Sequence, residues 1–404
     1  MRTRRAYLRL RFLTVATLSA ALAPTLPAQY GFADLGFPNT TGRGSSNLQC
    51  RVYYPSAQSG QNAPILERKG GFPTVVFLHG FLTLGREYPA IGEAFAAAGY
   101  VCVLSDTARF SNVTQRDDGV ALYPALLTAN AGSGLLAGAI DPGRIGLFGY
   151  SMGGGNTLEI LSQNVGYVCG LCMAPVASPS ASKITVPLAL IHGEGDTIVP
   201  WEPSSQAAYD AATLVRGLRL FYRMNADCTH LNVASLASSS TRDREVWERV
   251  LRVTMGFFGR FLRDDSASLE RVLGNDARSE ARLRALQVTM QTPELWSRSE
   301  ARIGTDFQIS LAGEVGVGAL FLGAPGSGIA TPFGELLLDA ASVVFVRADA
   351  IPTSKLLPMF LSIPSDRALI STEFALQGFA QSSDVAPVRG LKLSAIRVRA
   401  TVKG

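Results

Sequence analysis

The sequence predicts an α/β fold, a mostly parallel sheet flanked by helices, followed by a smaller β-rich domain. Three observations carry this. Between about residues 45 and 263, short apolar β-rich runs alternate with helix-like stretches, the pattern of strands joined by crossover helices. Five successive runs are almost continuously apolar, as central strands buried on both faces should be. After Asp264 the alternation stops, and from about Thr305 the chain is punctuated by Gly and Pro between strand-like runs.

Taken in order, residues 1–28 have the layout of a signal peptide. Arg2, Arg4, Arg5, Arg9 and Arg11 form the charged start, Phe12 to Ala23 the apolar middle, and Pro24 ends it. Cleavage is expected after Ala28, which implies a secreted, periplasmic or cell-surface protein with no later membrane span. The formal charge of +5 then belongs to this segment, since it carries five arginines and no acid, and 5 − 5 leaves the remainder neutral. A basic face for nucleic acid is therefore not expected.

Strands are expected at "NLQCRVYY", "TVVFLHG", "YVCVLSD", "RIGLFGY", "YVCGLCMAP", "PLALIHG" and "LRLFYRM". Helices are expected at "REYPAIGEAFAAAG", closed by Gly99, and at "DDGVALYPALLTAN", "MGGGNTLEILSQN", "PSSQAAYDAATLVRG" and "RDREVWERVLRVTMGFFGRFL". These place an α/β domain over 29–263, a helical connector over 264–303 and a β-sandwich-like domain over 304–404. The last contains no His and no Cys, and its residues do not choose between binding a polymer, retention at a surface and capping the first domain. Of the five cysteines, Cys169 and Cys172 fall in one apolar strand and read as buried thiols. A Cys50–Cys102 pair is left open, and the odd count leaves at least one cysteine free.

The chemistry gathers around "FGYSMGGGN". Ser151 lies between Gly149 and Gly153, between an expected strand and an expected helix. A nucleophile on such a turn needs unusual backbone angles, which flanking glycines accommodate, and the N–H of Met152 then sits at a helix N-terminus. A serine hydroxyl needs a base. The chain has three histidines, His79, His192 and His230. His79 and His192 end or lie within strands, whereas His230 lies late, on a loop after the last strand. Asp196, in "HGEGDTIVP", is the candidate acid. The order Ser151, Asp196, His230 separates this arrangement from the other serine-protease orders. The loop "FLHGF" offers the Phe81 N–H as a second oxyanion donor, with His79 shaping the loop. Asp106 in "LSDT" reads as a structural loop residue.

The elbow "GYSMGGG", the "HGF" turn, "LSDT", "DPGRIGLFGYSMGG" and "HGEGDTIVP" together resemble the α/β-hydrolase family over roughly residues 48–263. Within it the chain is similar to cutinase-like polyester hydrolases, including poly(ethylene terephthalate) hydrolases, and to dienelactone hydrolases and chlorophyllase-type esterases. The resemblance implies catalytic Ser151, Asp196 and His230, an oxyanion hole of Phe81 and Met152, and Tyr150, Val176 and Ile198 lining the substrate. It implies no metal or organic cofactor. Val176 stands where the polyester hydrolases carry a tryptophan, and Cys228 has no partner cysteine near Asp196. The expected function is a secreted serine hydrolase cleaving carboxylic esters of small molecules, lipids or polyesters. The alternatives are a peptidase or acyltransferase on the same fold, or a non-catalytic surface-binding protein.

Overall fold

The computed structural model describes residues 29–236, 240–383 and 391–404. The expected signal segment, 1–28, lies outside the described residues.

The chain opens on three strands, β1 (Tyr30–Pro38), β2 (Asn47–Pro55) and the short β3 (Gly60–Gln61). The alternating core follows: β4 (Phe72–Leu78), α1 (Pro89–Ala97), β5 (Val101–Ser105), α2 (Asn112–Ala131), β6 (Ile140–Tyr150), α3 (Met152–Leu161), β7 (Gly170–Met173), β8 (Leu188–Gly193), α4 (Ala207–Ala211), β9 (Leu218–Met224) and α5 (Thr241–Arg263). After a short helix α6 (Asn275–Arg278), β10 (Leu283–Met290) returns to the same sheet.

Among the described residues ten strands share that sheet, in the order β10-β9-β8-β7-β6-β4-β5-β2-β1-β3. From β5 through β9 neighbours run parallel. Antiparallel β2 and β10 flank that parallel block. Side chains alternate between two cores. Phe77, Phe148, Leu171 and Ile191 face α1 and α5, where Phe95, Phe257 and Phe258 meet them. Val76, Leu147, Cys172 and Leu190 face the other way, toward Leu122 and Leu126 of α2 and Leu158 and Ile160 of α3. This two-sided burial explains the continuous apolar runs of the sequence.

The five cysteines are all free and buried. Cys169 and Cys172 lie in opposite cores, and so do Cys102 and Cys50, so the Cys50–Cys102 pair left open by the sequence is not formed.

The remaining strands are β11 (Glu294–Ser297), β12 (Asp306–Ala312), β13 (Gly316–Gly323), β14 (Pro325–Thr331), β15 (Gly334–Leu338), β16 (Val344–Ile351), β17 (Leu356–Ser362), β18 (Glu373–Ser382) and β19 (Leu391–Thr401). They form a three-stranded sheet, β11-β12-β17, a four-stranded sheet, β16-β13-β18-β19, and the hairpin β14-β15. Leu295, Phe307, Ile309 and Leu311 of the first sheet meet Leu320, Leu376 and Val398 of the second, giving the expected antiparallel sandwich.

One expectation fails. Residues 264–303, read as a helical connector, hold only short helical turns before β10 and β11. Leu, Ala, Arg, Gln and Met favour a helix in isolation, but the open edge of β9 offers Leu283–Met290 a ladder of partners, and tertiary pairing overrides local propensity.

The sandwich is joined to the sheet through buried contacts. Trp296 of β11, fully buried, belongs to the same core as Phe257, Phe258, Leu269 and Val272. Its indole Nε1 donates to Glu270 at 2.6 Å. Arg260 of α5 makes a bidentate pair with Glu294 at 2.9 and 3.1 Å, both side chains buried.

Candidate active site

Ser151 caps the C-terminal end of β6 with φ 54° and ψ −116°. That left-handed region is strained for a residue with a Cβ, at a cost of roughly 1–3 kcal/mol. The strain is held by the surroundings: Ser151 N donates to the Met173 carbonyl at 3.0 Å, and its own carbonyl accepts from Val176 N and Gly155 N, each at 3.0 Å. Gly153 allows the helix to start against β4. A Cβ there would stand 2.1 Å from the Leu78 carbonyl oxygen and 2.6 Å from that of His79. Gly153→Ala is therefore expected to lower stability by roughly 1–3 kcal/mol, the usual range for overpacking. It should also reduce turnover, because the displaced turn carries the Met152 N–H. Thermal unfolding beside activity checks this; unchanged values in both would show that the turn yields freely.

The structure brings the three expected residues into one chain of hydrogen bonds. Ser151 Oγ lies 2.9 Å from His230 Nε2, and His230 Nδ1 lies 2.6 Å from Asp196 Oδ2. All three are buried, with Ser151 8% exposed. Asp196 accepts only, so Nδ1 carries the imidazole proton and Nε2 presents its lone pair to the serine hydroxyl. The other carboxylate oxygen, Oδ1, accepts from Ile198 N at 3.0 Å and Val199 N at 2.8 Å. Burial alone would raise the carboxyl pKa. The hydrogen bonds from His192, His230 and the Val199 N–H outweigh it and hold Asp196 well below the usual carboxylate range. The acid thus stays ionised through the neutral range.

The loop carrying the base is tied down by residues that the sequence did not reveal. Asn232, fully buried, donates to the Asp227 carbonyl and to Asp243 Oδ1, each at 2.9 Å, and accepts from Thr229 N. Asp243 lies in the first turn of α5, where its N–H bonds the capping hydroxyl of Ser240. Gly193 lets the acid loop pack on this one, since a Cβ there would stand 1.9 Å from the Cys228 carbonyl oxygen.

The oxyanion side is equally fixed. Met152 is the first residue of α3, and Phe81 follows the end of β4. Among the described residues neither N–H is taken up by a hydrogen-bond acceptor. His79 shapes this loop as expected: its ring nitrogens lie 2.8 Å from the Gly80 carbonyl and 2.7 Å from that of Thr107. Gln115 Nε2 donates to the backbone carbonyl of His79 at 3.0 Å. Asp106 binds Arg86 through the backbone N–H and the guanidinium, a structural role.

The three expected substrate-lining residues divide. Val176 and Ile198 are 43% and 63% exposed, Phe81 is 54% exposed, and Leu231 beside the base is exposed too. They stand on four separate loops beside the expected site: Val176 N donates to the Ser151 carbonyl, Ile198 N donates to Asp196, and Leu231 follows His230. Tyr150 is not among these exposed side chains. It is 2% exposed, with its ring 5.0 Å from that of His230 and 6.1 Å from Tyr88. It shares a strand face with Phe148, so it forms the floor under the imidazole. Among the described residues no group of three or more His, Cys, Asp or Glu is placed to hold a metal ion.

A family model described as PETase, PET hydrolase-like, matches residues 28–286, more than half of the chain. The chain belongs to the PET hydrolase-like family. Among curated proteins it is similar to bis(hydroxyethyl) terephthalate hydrolase of Streptomyces coelicolor, 28% identical over 159 residues, 39% of this chain and 48% of that protein. It is also similar to cutinase 1 of Thermobifida cellulosilytica, 30% identical over 124 residues, 30% of this chain and 47% of that protein. A cutinase of Thermobifida fusca is 30% identical over 124 residues, 30% of this chain and 40% of that protein. The chain spans about half the length, or less, of these curated relatives. The family match runs into β10 and stops short of the sandwich.

Proposed function

We propose that this chain is a secreted serine hydrolase that cleaves carboxylic esters through an acyl-enzyme. The observation that carries the reading is the hydrogen-bonded chain Ser151–His230–Asp196 standing on a strained strand-to-helix turn. Ser151 Oγ attacks the ester carbonyl carbon as His230 Nε2 takes its proton. Asp196 holds the Nδ1–H tautomer and stabilises the imidazolium. The N–H groups of Phe81 and Met152 receive the charge that develops on the carbonyl oxygen. His230 then protonates the leaving alcohol, and water, deprotonated by the same imidazole, releases the acid.

The exposed apolar side chains Phe81, Val176, Ile198 and Leu231 on the loops of this site favour hydrophobic esters, and the relatives named cutinase and bis(hydroxyethyl) terephthalate hydrolase agree with an ester substrate. Val176 presents a small branched face where the polyester hydrolases present an indole. Aliphatic acyl groups are therefore favoured over terephthaloyl ones. Among the described residues no helix is long and apolar enough to cross a membrane; the secretion part of the reading rests on residues 1–28.

The full chain, purified, should hydrolyse short- and medium-chain p-nitrophenyl esters, with a higher kcat/KM on aliphatic esters than on bis(hydroxyethyl) terephthalate, and slow or no cleavage of matched anilides. Preferential cleavage of anilides would make it a peptidase. Transfer to added alcohols in preference to water would make it an acyltransferase. No turnover by well-folded protein would leave the surface-binding alternative.

A further inference from the structure

The triad accounts for one imidazole at Asp196, but two are present. His192, on β8, is fully buried. Its Nε2 lies 3.1 Å from Asp196 Oδ2 and 2.9 Å from the carbonyl oxygen of Val199. Both are acceptors only, so Nε2 carries the proton and shares it between them. Nδ1 then has a free lone pair, and the hydroxyl of Ser205, also fully buried, stands 2.8 Å away and donates to it. His230 approaches the same Oδ2 through the opposite ring nitrogen, at 2.6 Å. The carboxylate is thus bonded on every side: two imidazole N–H groups at Oδ2 and two backbone N–H groups at Oδ1.

Building on the esterase reading, we propose that His192 is a positioning residue of the catalytic triad, which fixes the Asp196 carboxylate and takes part of the charge on Oδ2 away from His230. It touches no reacting atom. Its effect passes through the acid, whose rotation it blocks and whose basicity toward the catalytic imidazole it lowers. Loss of the second donor has two consequences. The carboxylate loosens, so the imidazole spends less time aligned with Ser151. While it is aligned, Oδ2 is more electron-rich and holds the His230 proton more strongly.

The other titratable and charged groups around this pair are few. Tyr150 lies under His230, and Cys228 sits on the base loop. Cys172 is on neighbouring β7. Arg223 is the register partner of His192 on β9 and pairs with Glu194, while Glu202, in the turn that carries Ser205, is exposed. None of these lies within hydrogen-bond reach of Oδ2, so His192 is the group whose removal alters it.

The test compares full-length His192→Leu, His192→Gln and Ser205→Ala with wild type. Glutamine places an amide N–H close to the position of Nε2; leucine has no donor. The first readout needs no substrate: the downfield proton resonance of the hydrogen bond between His230 and Asp196. The second is kcat and KM for p-nitrophenyl butyrate against pH. For His192→Leu the resonance should shift, and kcat should fall roughly 10- to 100-fold, as for a loss of alignment at about the 1 Å level, with KM little changed. The acid limb of kcat/KM should move to higher pH. His192→Gln should recover most of the kcat and the wild-type acid limb. Ser205→Ala, which frees the tautomer of His192, should shift both readouts in the same direction as leucine but less. Wild-type resonance, kcat and acid limb in folded His192→Leu would overturn the proposal. So would equal losses in the leucine and glutamine variants, which would reduce His192 to packing. If leucine does not fold, an inactive His192→Gln beside an unchanged Ser205→Ala overturns it as well. If wild type hydrolyses no ester, the esterase reading fails, and the resonance alone still decides the role of His192.

Discussion

Ser151→Ala should lower kcat for p-nitrophenyl esters by on the order of 10⁴- to 10⁶-fold, the range seen when a triad nucleophile is removed, while leaving the fold intact. The substitution deletes one oxygen. Among the described residues its one hydrogen bond is to His230 Nε2, whereas the backbone bonds that hold the turn are made by the N–H and carbonyl of residue 151. Alanine bears the φ of 54° about as well as serine, since both have a Cβ. Thermal unfolding should therefore change little. His230→Ala should cost nearly as much as Ser151→Ala, and the double variant little more than either, because the residues act as a unit. Rapid-mixing kinetics and labelling by a serine-directed phosphonate give independent checks. Retention of more than about one part in a hundred of the activity, judged against these losses, would mean that Ser151 is not the nucleophile. Labelling of Ser151→Ala at the wild-type rate would say the same.

Much of this site was legible because each part carries a local signature. The elbow has its glycines, the acid its loop motif, and the base few rivals. Tyr150 shows what family position alone leaves out. Family position suggested substrate lining, yet strand alternation alone puts Tyr150 on the face of Phe148, and that face is core. The sequence places His192 within a strand. Its partner there is the Asp196 carboxylate, and no periodicity reports a contact made across a strand end and the loop that follows. The same limit hid Asn232 and Asp243, whose bond joins a loop to a helix N-terminus. In the fold, the central strands were legible from continuous apolar runs. Strand β1, by contrast, has exposed and half-buried positions mixed along it, and β10 is amphipathic and rich in helix formers. Strands at or beside a sheet edge are defined by their partners more than by their own sequence.

That edge decides the second large effect. Ending the chain after Asp264 is expected to prevent cooperative folding, although the triad residues all precede that point. The truncation removes β10 and with it the antiparallel ladder on β9, which leaves an open parallel edge. It also uncovers α5. Leu269, Val272, Leu273 and Trp296 are fully buried members of the core that contains Phe257, Phe258 and Leu262. Burial of such side chains contributes roughly 1.5–3 kcal/mol each, so losing four of them, with the matching exposure of α5, is comparable with the whole stability of an ordinary domain, about 5–15 kcal/mol. Arg260 loses its bidentate partner Glu294 as well. An end after Met290 should be less severe, since it keeps β10 and the turns at Leu269–Leu273 but still strips Trp296 from the core. Soluble yield, circular dichroism and the sharpness of thermal unfolding rank the three chains, and ester hydrolysis is read only on those that fold. The expected order is full chain, then 1–290, then 1–264. Cooperative unfolding of the 1–264 chain at the full-length Tm, with unaltered ester hydrolysis, would make the C-terminal half an autonomous appendage. A role in polymer binding or surface retention would then have to be sought in that half alone. The expected order instead assigns the sandwich's first strand to the support of the catalytic body, because α5, which it covers, also carries at its N-terminus the aspartate that anchors the His230 loop.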